Sequence, residues 1–85
     1  MTVEYSPEAE AQFLKLEKNV QRQISKYLDE VSKMSDPRTR GKSLKDNLST
    51  LWRYRTCDWR IICDIQDTKI LITILRIGNR KDVYR

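Results

Sequence analysis

The spacing of apolar residues changes at Asp36-Pro37, and this change limits what the chain can fold into. Before it, apolar residues recur every three or four positions, which places them on one side of an α-helix. After it, apolar and polar residues alternate, as they do in a β-strand with one buried face. Proline also disfavours helical backbone at the residue before it, so a helix ends here. Helices followed by strands predict an α+β fold.

Two helices are predicted in the first half, behind a short strand over Thr2–Tyr5. Ser6-Pro7 is typical of a helix start, because serine caps the first turn and proline suits the first helical position. The first helix carries an apolar stripe at Ala9, Phe13 and Leu16. The second covers residues 20–34, with apolar residues Val20, Ile24, Tyr27, Leu28, Val31 and Met34.

Three strands are predicted in the second half, after a polar connector over Pro37–Asn47. They are Thr50–Arg55, Trp59–Gln66 and Lys69–Ile77, and their short connections favour consecutive antiparallel hairpins. A turn is predicted at Gly78-Asn79, and residues 81–85 leave room for one helical turn. The expected fold is therefore a single α+β domain over residues 1–85, with a strand and a two-helix hairpin packed on a twisted antiparallel sheet.

Alternation within the predicted strands separates aromatic from basic residues. Trp52 and Tyr54 share one face of their strand, and Arg53 and Arg55 share the other. On the next strand, Trp59, Ile61, Cys63 and Ile65 lie together, which leaves Arg60, Ile62 and Asp64 opposite. We therefore expect Trp52, Tyr54 and Trp59 in the core. The arginines form either a phosphate-binding surface or an ordinary charged outer face.

Positive charge is concentrated after the change of period. Residues 1–35 carry five Lys/Arg and six Asp/Glu, whereas residues 36–85 carry twelve Lys/Arg and six Asp/Glu. Eight of the nine arginines lie in this second part. A basic surface confined to one half indicates a polyanionic partner, with nucleic acid first. The alternative is that the arginines are solvated spacers on exposed strands.

The composition argues against several other classes of protein. There is no histidine, and the spacing of Cys57 and Cys63 fits neither a zinc-ligand pair nor a redox motif, so no metal or cofactor is expected. We expect both cysteines to be reduced, with Cys63 buried and Cys57 in a loop. The first residues have no signal-peptide pattern and no stretch is long enough to span a bilayer. A cytoplasmic protein with no membrane partner is expected.

Four segments, taken in order, resemble the RelE-like toxins of the RelE/ParE superfamily. They are Gly41–Leu44, Leu51–Arg55, Trp59–Ile62 and Ile77–Arg85. The resemblance implies a ribonuclease-like fold and a toxin that enters the ribosomal A site. Such toxins cleave mRNA there by attack of a 2′-hydroxyl on the adjacent phosphate, without a metal. It also implies a set of site residues: catalytic Arg53, Arg55, Arg60, Arg80 and Tyr84, with Arg53, Arg55, Arg76 and Lys81 binding RNA.

Two departures from the RelE pattern concern proton transfer. RelE has lysines where this chain has Arg53 and Arg55, and arginine does not deprotonate in proteins. Many relatives have histidine where this chain has Asn79. The base must then be a tyrosinate, a carboxylate or water. Tyr84 is a candidate, because the positive charge of nearby Arg80 favours the tyrosinate.

The resemblance also implies a partner and leaves two other functions open. RelE-like toxins are held inactive by a small cognate antitoxin, so a hetero-oligomeric complex is expected. The basic second half would gain association rate and specificity from an acidic or amphipathic segment. ParE-type toxins share the fold but poison DNA gyrase and lack the nuclease site. A third interpretation is an inactive member that acts only by binding.

Overall fold

The computed structural model describes residues 1–44 and 50–79. Within these residues the elements are β1 Thr2–Tyr5, α1 Pro7–Leu14, α2 Lys18–Lys33, β2 Lys42–Ser43, β3 Leu51–Thr56, β4 Trp59–Gln66 and β5 Leu71–Asn79. Short 3-10 helices lie at Pro37–Thr39 and Asp67–Lys69. The α+β class and the order of helices before strands are confirmed. The second helix begins two residues earlier than predicted, directly after Glu17.

The strands form one sheet in the order β1-β5-β4-β3-β2. Strands β2 to β5 are antiparallel neighbours, which confirms the predicted meander of β3, β4 and β5. Strand β1 lies beside β5 and runs parallel to it, from Thr2 opposite Leu71 to Tyr5 opposite Ile74. Because β1 occupies the edge of the sheet next to β5, β5 is an inner strand, paired on both sides.

The core lies between the helices and one face of the sheet. Helix α1 packs along β5, and α2 contacts β1 and β3. Fully or almost fully buried residues come from both layers: Ala9, Ile24, Leu28, Val31, Tyr54, Ile61, Cys63, Ile65, Ile72, Ile74 and Ile77. Trp52 and Trp59 are partly buried against this cluster. The prediction that the strand aromatics belong to the core is confirmed.

Helix α1 completes the edge of β5 where β1 ends. The Ser6 hydroxyl accepts a hydrogen bond from the Ala9 N–H at 3.1 Å, which confirms the predicted N-cap. The same hydroxyl donates to the Leu75 carbonyl at 3.3 Å. Six residues further along the chain, the Gln12 side-chain oxygen accepts a hydrogen bond from the Ile77 N–H at 2.7 Å. Buried backbone polar groups need hydrogen-bond partners, and beyond the end of β1 the Ser6 and Gln12 side chains provide them for β5.

The connector between α2 and β3 is fastened to the sheet by the buried aromatics. The Tyr54 hydroxyl donates to the Pro37 carbonyl at 2.6 Å, and the Trp52 indole N–H donates to the Arg40 carbonyl at 2.7 Å. At its end lies β2, whose Lys42 pairs with Arg53. The sequence predicted only a polar connector here, because two residues are too few to show strand alternation.

The predicted turn at Gly78-Asn79 is wrong. Both residues belong to β5, where Gly78 lies opposite Arg60 and Asn79 lies opposite Trp59. Glycine and asparagine are weak strand formers, but pairing with the whole length of β4 outweighs local propensity. The predicted helical turn over residues 81–85 lies outside the described residues.

Gly41 should be irreplaceable by any residue with a side chain. Its φ is +78°, and a Cβ there would lie 2.3 Å from the Arg53 carbonyl oxygen and 2.7 Å from the Trp52 indole nitrogen. We expect Gly41→Ala to lower the free energy of unfolding, measured in urea, by at least about 2 kcal/mol. Alanine disfavours the left-handed backbone at this position, and its methyl group would overlap with the Arg53 carbonyl oxygen. The exposed neighbour is the control: Lys42→Ala should change stability by less than about 0.5 kcal/mol. Equal stabilities would contradict this account.

The two cysteines should differ sharply in reactivity. Burial raises the pKa of the Cys63 thiol to about 12, with the Asp64 charge acting in the same direction. Cys57 is exposed, in the turn between β3 and β4. Because the thiolate is the reactive form, iodoacetamide at mildly alkaline pH should label Cys57 alone in the folded protein. Mass spectrometry should find Cys63 labelled only after denaturation, and rapid native labelling of Cys63 would show that the core is not as described.

Candidate nucleic-acid interface

The strand register gathers basic side chains on the face of the sheet that the helices do not cover. One row across the strands consists of Lys42, Arg53, Ile62 and Arg76, from β2, β3, β4 and β5 respectively. The next row, nearer the β3–β4 turn, consists of Arg55, Arg60 and Gly78. Side chains opposite one another on antiparallel strands are about 5 Å apart at Cβ. We call Lys42, Arg53, Arg55, Arg60 and Arg76 the basic face.

Arg76 reaches this face only because the pairing of β4 with β5 is irregular. Ile62 pairs with Arg76 but Cys63 pairs with Ile74, so Leu75 is an extra residue on β5. Ile74 is buried before this bulge and Ile77 after it. Simple alternation from Ile74 would have turned Arg76 into the core. A β-bulge re-aims the residues that follow it, and here it places Arg76 in the row of Arg53.

The five cations are not equally accessible. Lys42, Arg55 and Arg76 are exposed, and Arg53 is half-buried. Arg60 is only 7% exposed. Its guanidinium would therefore influence an anion on this face chiefly through its charge, whereas the other four side chains reach solvent and could donate hydrogen bonds directly.

A small cavity lies within the basic face. Gly41, Lys42, Arg53 and Arg55 line a volume of about 230 Å³. Two guanidinium groups and an ammonium group around one cavity suit a phosphate, because arginine offers fixed paired donors and lysine a compact charge. Lys42 was not among the predicted site residues. It lies in the Gly41–Leu44 segment that carries the family resemblance, but nothing in the local pattern pairs it with Arg53.

Carboxylates limit the basic face on one side. The row beyond Arg53 contains Leu51, Asp64, Thr73 and Glu4. The Asp64 carboxylate accepts a hydrogen bond from the Gln66 amide at 2.9 Å, which holds it in this row. On this face of the sheet, the cations of the basic face therefore lie at the end nearer the β3–β4 turn.

Two other arginines of the second half have structural roles instead. Arg38 forms a paired hydrogen bond with both Asp67 oxygens at 2.9 Å, which joins the connector to the β4–β5 turn. Hydrogen bonding to Arg38 lowers the pKa of the Asp67 carboxyl. Arg40 bonds Glu30 at 3.0 Å and lies over the Tyr27 ring at 5.2 Å. The number of arginines in the second half of the sequence is therefore larger than the number that contribute positive charge to the basic face.

Three predicted site residues cannot be placed. Arg80, Lys81 and Tyr84 lie outside the described residues, so their roles stay predictions from the sequence. In the described part of the chain, no group of three or more Cys, Asp or Glu side chains is arranged to hold a metal ion. No helix within residues 1–44 and 50–79 is long and apolar enough to cross a membrane.

The fold is that of toxins from toxin–antitoxin systems. The chain superposes on the isolated Escherichia coli RelE toxin with a TM-score of 0.77 and 20% identity, covering 98% of this chain and 89% of that one. It superposes on a chain of the RelBE2 toxin–antitoxin complex of Mycobacterium tuberculosis with a TM-score of 0.80 and 24% identity, covering 95% of this chain and 92% of that one. For a chain of the archaeal RelE–RelB complex of Pyrococcus horikoshii, the TM-score is 0.78 and the identity is 21%, with 96% of this chain and 97% of that one covered. At these identities the likeness establishes the fold alone.

The sequence match is more specific about the family. Residues 3–84 match the family described as the ParE toxin of type II toxin–antitoxin systems, parDE. The chain therefore belongs to the ParE toxin family, within the RelE/ParE superfamily of toxins. No curated protein sequence matches it.

Proposed function

We propose that this toxin is an endoribonuclease that cleaves messenger RNA in the ribosomal A site, without a metal. The observation that carries the proposal is the basic face, where four solvent-reaching cations and Arg60 lie within two adjacent rows. Neighbouring strands are about 4.8 Å apart. An RNA backbone that crosses β2 to β5 would thus meet successive cations, and the Asp64 row would repel it from the other end of the sheet.

The basic face supplies charge stabilisation for the reaction. When the 2′-hydroxyl attacks the adjacent phosphate, the phosphorane carries more negative charge than the ground state. Arg53 and Arg55 line one cavity and can donate hydrogen bonds to the oxygens of the phosphorane, while Arg60 adds positive potential. Donors placed at developing charge each contribute about 10²–10³-fold in rate.

Proton transfer requires other side chains, because guanidinium groups stay protonated. The 2′-hydroxyl must lose a proton, and the leaving 5′-oxygen must gain one. We assign the first step to Tyr84, as the sequence predicts, and the second to Lys42. Lys42 lines the same cavity as Arg53 and Arg55, and its ammonium group can give up a proton.

Poisoning of DNA gyrase is the second candidate function. The match to the ParE family favours it. The basic face is compatible with it, because guanidinium groups can bind an acidic protein surface as well as a phosphate. In that case the face would bind a protein and no proton transfer would be needed.

A cognate antitoxin completes the proposal. The solved relatives from Mycobacterium tuberculosis and Pyrococcus horikoshii are complexes of a toxin with its antitoxin. An amphipathic acidic segment over the basic face would exclude RNA and would gain association rate from opposite charge. We therefore expect this chain to be isolated from its source as a hetero-oligomer.

The double variant Arg53→Ala/Arg55→Ala tests the proposed function. It should lower mRNA cleavage by about 10⁴-fold or more, since each donor contributes about 10²–10³-fold. Cleavage is measured by mapping the 5′ ends of messages after induction in cells, alongside a gyrase supercoiling assay. Lys33→Ala, an exposed lysine at the end of α2 and outside both the basic face and its surroundings, is the control and should remain toxic. If wild-type toxin cuts no message and blocks supercoiling, the gyrase function is correct.

Lys42→Arg separates proton transfer from charge. The substitution keeps a cation beside Arg53, so RNA affinity should hardly change, but the proton becomes unavailable. Cleavage of ribosome-bound message should fall by about 10²-fold or more, as it should in Tyr84→Phe, where the loss is in the usual range of about 10²–10⁴. A loss below about threefold would remove the corresponding residue from the mechanism.

A further inference from the structure

A second polar pocket lies on the helix side of the molecule. An open pocket of about 240 Å³ lies between helix α2 and the end of β3, lined by Gln23, Lys26, Tyr27, Glu30 and Thr56. The four helical residues are spaced by three and four positions, so they share one face of α2. Neither the basic face nor the predicted site residues include any of them.

Tyr27 gives this pocket a rigid aromatic wall. Its ring meets the buried Tyr54 ring edge-on at 5.8 Å, and the Arg40 guanidinium lies 5.2 Å from its centre. Arg40 is itself held by Glu30 at 3.0 Å. Burial raises the pKa of the Tyr27 phenol, against the opposing effect of Arg40, so the ring is neutral at physiological pH. A fixed neutral aromatic ring is a suitable contact for a nucleobase.

The polar lining matches what the edge of a base presents. The Gln23 amide both donates and accepts, the Glu30 oxygen that Arg40 does not bond can accept, and the Thr56 hydroxyl does either. RNA-binding proteins read unstacked bases in this way, with an aromatic contact and hydrogen bonds to the base edge. The ligand class that fits the pocket is therefore a single-stranded nucleotide.

Cations continue from the pocket along α2. Lys26, Arg22 and Lys18 are four residues apart, so they follow one another at about 6 Å along the helix. Among the described residues, the neighbouring acids of α2 are engaged elsewhere, Asp29 with Lys33 at 3.1 Å and Glu30 with Arg40 at 3.0 Å. Like charges at this spacing destabilise a helix slightly, whereas a phosphate backbone would relieve the repulsion.

The pocket adjoins the basic face across the end of the sheet. Arg55 belongs to the basic face, and Thr56, the next residue of β3, lines the pocket. Successive side chains of a strand point to opposite faces, so the two surfaces are separated by the thickness of the sheet alone. Tyr27 also packs edge-on against Tyr54, the residue before Arg55, which joins the pocket wall to the strand that carries the basic face.

We propose that the pocket between α2 and β3 receives one base of single-stranded RNA whose backbone runs from the basic face around the β3–β4 turn to Lys26 and Arg22. The inference rests on the proposed function, because it takes RNA as the ligand of the basic face. It assigns to the toxin a second contact with the same strand, outside the cleaved bond. Base contacts there would give the toxin a sequence preference at a nucleotide distant from the cut.

Binding of RNA oligonucleotides to the full chain tests the pocket. Oligonucleotides of about four and about sixteen nucleotides bracket the range of single-strand site sizes. With the longer one, fluorescence anisotropy should show an affinity loss of about fivefold for Gln23→Ala, since a hydrogen bond contributes about 1 kcal/mol. For Lys26→Gln, the slope of log K against log salt should fall by about 0.7. With the shorter one, both variants should bind like wild type. Lys33→Gln, on the same helix but outside the pocket, is the matched control and should change neither.

The outcomes separate this inference from the proposed function. If Arg53→Ala/Arg55→Ala loses RNA while Gln23→Ala and Lys26→Gln bind the longer oligonucleotide like wild type, the pocket inference is wrong and the nuclease proposal stands. If wild type neither binds nor cleaves RNA, both are wrong. Photocrosslinking with 5-iodouracil in the longer oligonucleotide gives an independent readout. The crosslinked peptide should contain Tyr27, and crosslinks confined to β3 to β5 would overturn the inference.

Discussion

The pairing of β4 with β5 is the interaction on which the other features depend. One extra residue, Leu75, lets the first half of β5 turn Ile72 and Ile74 towards the helices and the second half turn Arg76 away from them. The same strand also pairs with β1 on its other edge and, where β1 ends, accepts a hydrogen bond from the Ser6 hydroxyl and donates one to the Gln12 side chain. A small domain has few buried contacts to spare. A slip of this register by one residue would exchange the core and the basic face.

Arginine serves two purposes in this protein, and its neighbours determine which. Arg38 and Arg40 each have a carboxylate partner and lie near an aromatic ring, so they join the connector to the rest of the fold. Arg53, Arg55 and Arg76 lie on the strand face that also carries Lys42 and Arg60. Mutual repulsion there costs stability that a polyanion or an acidic partner would restore. This cost is the physical reason for assigning the face to binding.

The functional question reduces to proton transfer. The fold is shared with RelE toxins, and the sequence matches the ParE family, so descent alone allows either activity. A guanidinium-rich face can hold an RNA backbone or an acidic protein surface equally well. Cleavage additionally needs groups that release and accept protons, and Lys42 and Tyr84 are the assigned candidates. If RNA is the ligand, the pocket at Tyr27 adds a contact with a base. Such a contact can distinguish one nucleotide from another, whereas contacts with phosphates alone cannot.

Local sequence patterns determined the α+β class, the N-cap at Ser6, the meander, and the opposite directions of Tyr54 and Arg55. These features depend on residues only a few positions apart, so period and propensity suffice to predict them. Tertiary structure alone decided that β1 pairs with β5, that Gly78-Asn79 continues a strand, and that a bulge turns Arg76 outwards. It also decided that Lys42 joins Arg53, and that an open pocket lies between α2 and β3. Each of these depends on contacts between residues distant in the chain, where register and packing override local preference.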